Sequence, residues 1–479
     1  MAYTDLIIAF LQGFAVFAVV YYLLVNSSYL IIHIFALLEL RSRKRESEWD
    51  PPYEKLGSLF FPGVAVIVPA YNEEATIVES LKSHLSIEYP DMEIVVVNDG
   101  STDSTLETLI EAYDLEPIDA DIPFDVPCEP IRSVYRSDEY QDLLVIDKEN
   151  GGKNDALNAG VWLTEKELFC SVDADTIMTR QSLLQVLRPY LKRPKKTVAA
   201  GGTIRVANRC TIRNGQVVDV NMPTNPLVGI QVMEYLRAFY SGRLGYDRFQ
   251  GLILVSGAFG MFKTNIAREI GGFRRETVTE DFDFVLRLHR YMITNDREYN
   301  VSFVPEPIAW TEVPESVSML SRQRRRWFRG KIDTLVNNID LVGNRENVGV
   351  GIYALPLFWF AEALGPLIEG LGYVLFPLML YFGLIDIYVF VLFFLATSVF
   401  GVLLSWFSIY SEAWAFRRYG SVPQTLLLFW YGIIENFGYR QLRTYFAWRG
   451  LIDYLRSKDS WGHLERTGFG DQSTQTTDD

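Results

Sequence analysis

The side chains able to do chemistry fall into four short clusters: Asp99 in VVVNDGSTD, Asp173 and Asp175 in CSVDADT, Glu280 and Asp281 in TEDFDF, and Gln323, Arg326 and Trp327 in QRRRW. Residues two apart at the end of an extended strand point to the same face, so Asp173 and Asp175 can converge on one cation. Their oxygens suit Mg²⁺ or Mn²⁺, which would bridge to a diphosphate. A bare D-x-D is common by chance, and the preceding LFCSV strand sharpens this one. Asp281 is the candidate general base, taking the proton of an attacking hydroxyl, with Glu280 and Asp283 orienting or structural. The competing reading is an acidic helix start favoured by the dipole. Asp99 can accept hydrogen bonds from a ribose or uracil, or cap the helix that follows.

Two further stretches bear on an anionic ligand. PAYNEE, comprising Pro69, Ala70, Tyr71, Asn72, Glu73 and Glu74, follows an apolar strand and opens a helix, so its backbone N–H groups could meet a nucleotide. GGKNDALNAG lacks the first glycine and the Ser or Thr of a G-x-x-x-x-G-K-[ST] loop, which argues against an ATPase. Its Lys153 could instead meet a diphosphate as a mobile charge, or be an exposed lysine in a turn. Gln323, Arg326 and Trp327, at i, i+3 and i+4, share one helix face. Trp327 could stack on a sugar ring, Arg326 contact a diphosphate and Gln323 fix a hydroxyl. The alternative is an interfacial helix anchored by Trp and Arg, a role assigned to Arg324 and Arg325.

These residues need elements to position them. VAVIVPA, EIVVVND, LLVID and LFCSV are short apolar runs suited to buried parallel strands. Glu73–Ser86, Ser101–Tyr113 and Asp155–Leu163 read as helices between them. That alternation predicts a doubly wound sheet with ligands at the strands' carboxyl ends, where each acidic cluster falls. Residues 114–142 are acidic, contain several prolines and lack a period, and so read as an insertion. Val228–Tyr240 has helical spacing and is a candidate for contact with an acceptor or the membrane.

The chain has 479 residues, a net charge of −14, 49% apolar and 22% charged residues. That charge excludes a nucleic-acid binder with a basic surface. Cys128, Cys170 and Cys210 have neither metal-ligand nor disulfide spacing and read as reduced residues of a cytosolic domain. Leu6–Leu38 carries no charge and is too long and too poor in leading basic residues for a signal peptide. It reads as one tilted membrane helix, with Arg41, Arg43, Lys44 and Arg45 holding the following chain in the cytoplasm. The basic amphipathic run SVSMLSRQRRRWFRGKIDTLVNNI could lie on an anionic inner surface. Tyr353–Phe382 and Ile387–Tyr410 read as a span and its return, marked by Arg417 and Arg418, whereas Val422–Phe437 is either re-entrant or a short span. Glu362 and Glu369 share a helix face and either line a polar path or mark an interfacial side.

PAYNEE, NDGSTD, GGKNDALNAG, DAD, SGAFG, TED and QRRRW stand in the order of the processive inverting family 2 glycosyltransferases, which the chain resembles from about Val64 to Gly330. That branch includes synthases of cellulose, hyaluronan, chitin and poly-N-acetylglucosamine. GGKNDALNAG and the compact length look closest to the bacterial poly-β-1,6-N-acetylglucosamine synthases, and the 114–142 insertion departs from them. The resemblance implies an α/β GT-A domain, doubly wound and Rossmann-like, flanked by transmembrane helices. It places a UDP-sugar against Pro69, Ala70, Tyr71, Asn72, Glu73, Asp99, Lys153 and Asp173, with Asp173 and Asp175 around Mg²⁺ or Mn²⁺. Asp281 becomes the base, and Gly257, Ala258, Phe259, Glu280, Gln323, Arg326 and Trp327 line the acceptor side.

The expected layout is a membrane helix at 1–40, a linker at 41–62, the catalytic domain at 63–313, amphipathic helices at 314–350, membrane helices at 351–450 and a tail at 451–479. The expected partners are a UDP-sugar, a growing glycan, the lipid bilayer and, as a further candidate, a small accessory membrane subunit, with no nucleic acid. The expected setting is a multi-pass protein of the cell membrane with its catalytic domain cytoplasmic. The expected activity is extension of a polysaccharide, with UDP-N-acetylglucosamine the favoured donor. One alternative is transfer of a single sugar to a lipid carrier, against which QRRRW argues. The other is a catalytically silent sugar-binding assembly subunit, against which intact Asp173, Asp175 and Asp281 argue.

Overall fold

In the computed structural model, residues 2–47, 61–123, 125–213, 215–416 and 421–456 are described. Most of the 41–62 linker, Arg417, Arg418 and the tail from residue 457 lie outside them. The apolar runs form the middle of a ten-stranded sheet. Its strands are β1 (Val64–Ala70), β2 (Met92–Asp99), β3 (Leu115–Ile118), β4 (Ile131–Ser137), β5 (Leu143–Lys148), β6 (Leu168–Val172), β7 (Ile177–Met178) and β8 (Thr197–Val206). A separate hairpin supplies β9 (Thr211–Arg213) and β10 (Gln216–Asp219), and β11 (Phe259–Lys263) and β12 (Asn300–Thr311) complete the main sheet. The order is β3-β4-β5-β2-β1-β6-β11-β8-β12-β7.

Strands β5, β2, β1 and β6 are mutually parallel, as expected of a doubly wound core. The sheet as a whole is mixed, because β11 runs antiparallel to both β6 and β8, and β4 runs antiparallel to β5. Val64 to Ile67 are 0% exposed. Helices must therefore cover both faces, which is why this strand shows no polar alternation. The aperiodic 114–142 stretch is not wholly irregular: β3 and β4 extend the sheet at that edge. Their short, half-exposed sequences give no clean period.

Helix positions also shift in detail. The first helix after β1 is Ile77–Leu85 and the second is Thr105–Tyr113, each later than its predicted start. The residues just before each helix form turns and bends.

Among the described residues, three helices are long and apolar enough to cross a membrane: Asp5–Lys44, Gly349–Tyr381 and Ile387–Ala415. The first belongs to one continuous helix, Ala2–Ser47, as its composition predicts. It packs on the catalytic domain at Gly245, where an added methyl would lie 2.4 Å from Ile32 Cγ2. Arg43, expected to mark the cytoplasmic side, pairs with Glu39 at 2.8 Å and also with Asp247. Helix Val422–Ile434 has 13 residues, too few for a straight crossing at 1.5 Å per residue. After a break at Phe437 and Gly438 the chain forms Arg440–Leu455, so the first residues assigned to the tail are helical.

Ion pairs, one of them fully buried, join these layers. Arg205 of β8 meets Glu412 at 2.7 Å. Glu362 pairs with Lys331 at 3.0 Å and Glu369 with Arg440 at 2.5 Å. Both membrane-block carboxylates therefore face protein cations.

Candidate active site

Lys153 joins the clusters. It opens helix Lys153–Leu163, and its Nζ lies 2.6 Å from Asp173 Oδ1 and 2.5 Å from Glu280 Oε1. It is therefore no surface lysine. Burial disfavours its charge, yet the two carboxylates more than reverse that effect and hold the ammonium protonated well above the usual lysine range. Beside it, Asp281 Oδ2 accepts the Gly257 N–H at 2.9 Å, and Oδ1 accepts the Phe282 N–H at 2.8 Å. Burial first, then the Glu280 charge, push the Asp281 carboxyl up to about 6, against the opposing pull of Lys153 and the two N–H groups. A carboxylate so poised suits proton abstraction near neutral pH.

Gly257 is a glycine for want of room. A methyl there would lie 2.9 Å from Glu280 Oε1 and 3.4 Å from both Lys153 Nζ and Asp281 Cβ. Ala258 follows it, half-buried. Phe259 departs from the expected role: it is 0% exposed on β11 opposite Val172, so its ring belongs to the core rather than the lining.

Asp99, at the end of β2, is 2% exposed. Its carboxylate accepts the N–H of Gly151 at 3.0 Å and of Gly152 at 2.7 Å, and meets Lys148 Nζ at 2.7 Å. It thus shapes the turn that delivers Lys153. Lys148, itself fully buried, also reaches Asp155 at 2.5 Å. Asp155 in turn holds Arg275 at 2.9 Å and the Glu129 N–H of the insertion at 3.0 Å. PAYNEE differs from expectation in a related way. The N–H groups of Asn72, Glu73 and Glu74 donate to the side chains of Ser101, Thr105 and Asp103, while Asn72 Oδ1 accepts the Thr102 N–H. The two loops cap one another, which engages the donors expected to face a nucleotide. Tyr71, 36% exposed, and Glu74 are the exposed residues of PAYNEE, whereas Ala70 is buried.

Asp173 and Asp175 follow β6 on either side of buried Ala174. Asp173 faces the centre, since its oxygen holds Lys153. Among the described residues no third His, Cys, Asp or Glu joins them as a ready metal cage. This donor set fits a divalent ion that takes its remaining ligands from a diphosphate and water, as Mg²⁺ usually does.

The QRRRW residues lie on helix Val317–Asn337, capped by Ser316. That helix docks on the TED motif: a methyl at Gly330 would lie 2.5 Å from Thr279 Cγ2, and Thr279 and Thr334 share a hydrogen bond of 3.0 Å. Gln323, Arg326 and Trp327 are all partly exposed. Gln323 Oε1 is buried and accepts no hydrogen bond among the described residues.

Several residues that hold the site were not singled out individually in the sequence. Asn154 donates to the carbonyls of Arg274 and Thr277, and Asn158 pairs both ways with the Phe273 backbone, pinning the loop before TED. Arg243 acts on Asp281 as a nearby cation, and burial lowers its own value to about 10. Tyr235, on helix Pro226–Arg237, lies within electrostatic reach of Asp175, Arg324 and Arg243. That stretch, expected to touch acceptor or membrane, lies beside the clusters. A cavity of about 320 Å³ lined by Arg43, Lys192, Arg193 and Asp247 includes none of the candidate residues.

Comparison with known proteins adds the following. Residues 168–410 match the family model described as glycosyl transferase family group 2, and residues 65–124 match glycosyl transferase family 2. Over 277 residues the chain is 26% identical to the poly-β-1,6-N-acetyl-D-glucosamine synthases of Staphylococcus epidermidis and of Staphylococcus aureus strain COL. Each match covers 58% of this chain and 56% of the relative, so the chain spans little more than half the length of those proteins. Among solved structures, the mannosyltransferase PcManGT from Pyrobaculum calidifontis, in complex with GDP-Man and Mn²⁺, aligns with a TM-score of 0.51 and 16% identity. That alignment covers 91% of this chain and 99% of the other, and it shows a shared GT-A fold.

Proposed function

The chain belongs to glycosyl transferase family group 2, and from that premise we propose that it is a membrane-bound inverting β-glycosyltransferase that extends a polysaccharide from a UDP-sugar and passes it across the cell membrane. One observation carries the reading: a single ammonium, Lys153, joins Asp173 to Glu280 beside a general base of suitably raised pKa, Asp281. The relatives named for poly-N-acetylglucosamine synthesis make UDP-N-acetylglucosamine the favoured donor.

In this mechanism the acceptor hydroxyl oxygen attacks the anomeric carbon as the bond from that carbon to the diphosphate oxygen breaks. UDP leaves with the bonding electrons, and the hydroxyl proton passes to Asp281. Single displacement inverts the anomeric centre. Asp173 and Asp175 would hold Mg²⁺ or Mn²⁺, which when bound supplies positive charge to the diphosphate. Lys153 and Arg326 add fixed cations for the leaving group. Tyr71 offers a ring to the uracil, and Asp99 acts by shaping the Gly151–Lys153 turn. Trp327 stacks beneath the acceptor sugar while Gln323 Oε1 takes a hydroxyl hydrogen. The catalytic domain is cytoplasmic, and a small membrane subunit remains a candidate partner.

The test is UDP release by detergent-purified protein with Mn²⁺ and UDP-N-acetylglucosamine, UDP-glucose or UDP-glucuronate. Release with one donor, accompanied by a high-mass glycan, supports the proposal and names the sugar. Release yielding only a lipid-linked monosaccharide replaces polymerisation by single transfer. Absence of turnover with every donor rejects the reading.

A further inference from the structure

Glu234 lies on helix Pro226–Arg237 and is 8% exposed, at a position without a role in the mechanism above. Its Oε2 accepts from Arg324 at 2.6 Å and from the Tyr439 hydroxyl at 2.6 Å, and its Oε1 meets Arg443 at 2.9 Å. These partners come from two other elements. Arg324 is on the QRRRW helix. Tyr439 and Arg443 follow the break at Phe437 and Gly438, where the short apolar helix Val422–Ile434 gives way to Arg440–Leu455. Burial alone would push the Glu234 carboxyl up, but Arg324 and Arg443 outweigh it and bring the group below the ordinary glutamate value. The two guanidinium groups thus favour its charged form.

Arg324 has a second contact. Its guanidinium carbon lies 4.5 Å from the centroid of the Trp327 ring, within cation–π range. The group gripped by Glu234 thus also covers the aromatic ring of the motif. Meanwhile helix Arg440–Leu455 crosses the QRRRW helix closely: a methyl at Gly450 would lie 2.9 Å from the Arg325 carbonyl oxygen, and Arg325 pairs with Asp453 at 2.6 Å. A shift of one helix must be felt by the other.

We infer that Glu234 is a positioning residue which, through Arg324, sets the ring of Trp327, and which, through Tyr439 and Arg443, makes that setting depend on the helix leaving the membrane block. This assignment rests on the reading of Trp327 as part of the acceptor wall. It gives the bilayer-embedded part of the chain a direct mechanical hold on the acceptor site, through one buried carboxylate shared by three helices. A passing glycan or a change in the bilayer that displaced residues 439–443 would then alter acceptor alignment without touching the donor residues.

The experiment uses full-length protein in lipid nanodiscs, labelled with 5-fluorotryptophan, with the Trp327 ¹⁹F resonance assigned from Trp327→Phe. Glu234→Gln and Arg324→Gln are expected to shift or broaden that resonance. Each should lower kcat about tenfold, as a misaligned acceptor does, while the donor KM stays within about twofold. The double variant should be no slower than the poorer single one, because the two residues act through one contact. If Glu234→Gln does not fold, Arg324→Lys keeps a charge on Glu234 but removes the planar stack, and it must move both the resonance and kcat. A Trp327 line unmoved by these substitutions overturns the inference, as does an additive loss in which donor KM and melting temperature change together with kcat. Native protein without turnover whose Trp327 line still responds would uphold the coupling and reject glycosyl transfer.

Discussion

Replacing Lys153 by methionine should move the pH at which Asp281 becomes a base, and the size of the move follows from geometry. A point built on Gly257 lies 3.4 Å from both Lys153 Nζ and Asp281 Cβ. Asp281 Cβ is therefore no more than about 7 Å from Nζ and the carboxylate oxygens no more than about 9 Å, where unit charges at an effective dielectric of about 20 interact by about 2 kcal/mol. That is more than a tenfold change in the proton affinity of the carboxylate. Asp281 already stands at about 6, because burial and Glu280 raise it while Lys153 lowers it. Arg243 is the other cation facing it. Removing the ammonium removes a lowering influence, so the carboxyl moves further up. The base works only when deprotonated. Activity is therefore lost as pH falls through the pKa of Asp281, and the variant loses it at a higher pH than the native protein. The assay is kcat/KM for UDP release against pH at low donor concentration, which reports the free enzyme. The variant's overall rate should also fall, since Lys153 is a proposed diphosphate contact, so the position of the acid limb is the readout and its height is not. A variant whose acid limb coincides with the native one would falsify the argument that Lys153 tunes Asp281.

Asp281→Asn keeps the shape of the site but cannot take a proton, and should cost about 10²–10⁴-fold in turnover while UDP affinity by calorimetry changes little. Substantial residual turnover would remove Asp281 as the base. Asp175→Asn should raise the Mn²⁺ concentration for half-maximal activity at least about tenfold, since even outer-shell changes at metal sites cost that much; an unchanged Mn²⁺ titration would take Asp175 out of the metal site. Gly160→Ala tests the core rather than the chemistry. Its methyl would lie 2.4 Å from Cγ2 of fully buried Ile67 on β1, so overpacking should cost about 1–3 kcal/mol, seen as a lower melting temperature in detergent. An unchanged melting temperature would show that helix Lys153–Leu163 can move off the sheet.

What the sequence made legible is unevenly distributed, and the reason is physical. Asp173, Asp175 and Asp281 could be placed from sequence because a strand end or a helix start preserves spacing within a few positions, and the structure sets Asp173 and Asp281 around Lys153 and Gly257. The central strands were equally plain, since burial on both faces demands unbroken apolar runs. Asn154 and Asn158 were not legible: their partners at Thr277 and Phe273 lie 123 and 115 residues away, and asparagine in a helical run looks like any tolerated polar residue. Lys148 was hidden by its type, because a lysine closing a strand reads as solvated until Asp99 and Asp155 are seen on either side of it. The partners of PAYNEE were hidden for the converse reason. Its open N–H groups looked available to a ligand, but a second polar loop, equally local in sequence, stands close enough to take them. Groups that meet a ligand must carry recognisable chemistry, whereas groups that hold them need only a complementary partner, and the fold supplies that partner from anywhere in the chain. Glu234 is the clearest case, since nothing in QVMEYLR separates it from a surface glutamate, and only the approach of Arg324, Tyr439 and Arg443 makes it a junction between membrane and site.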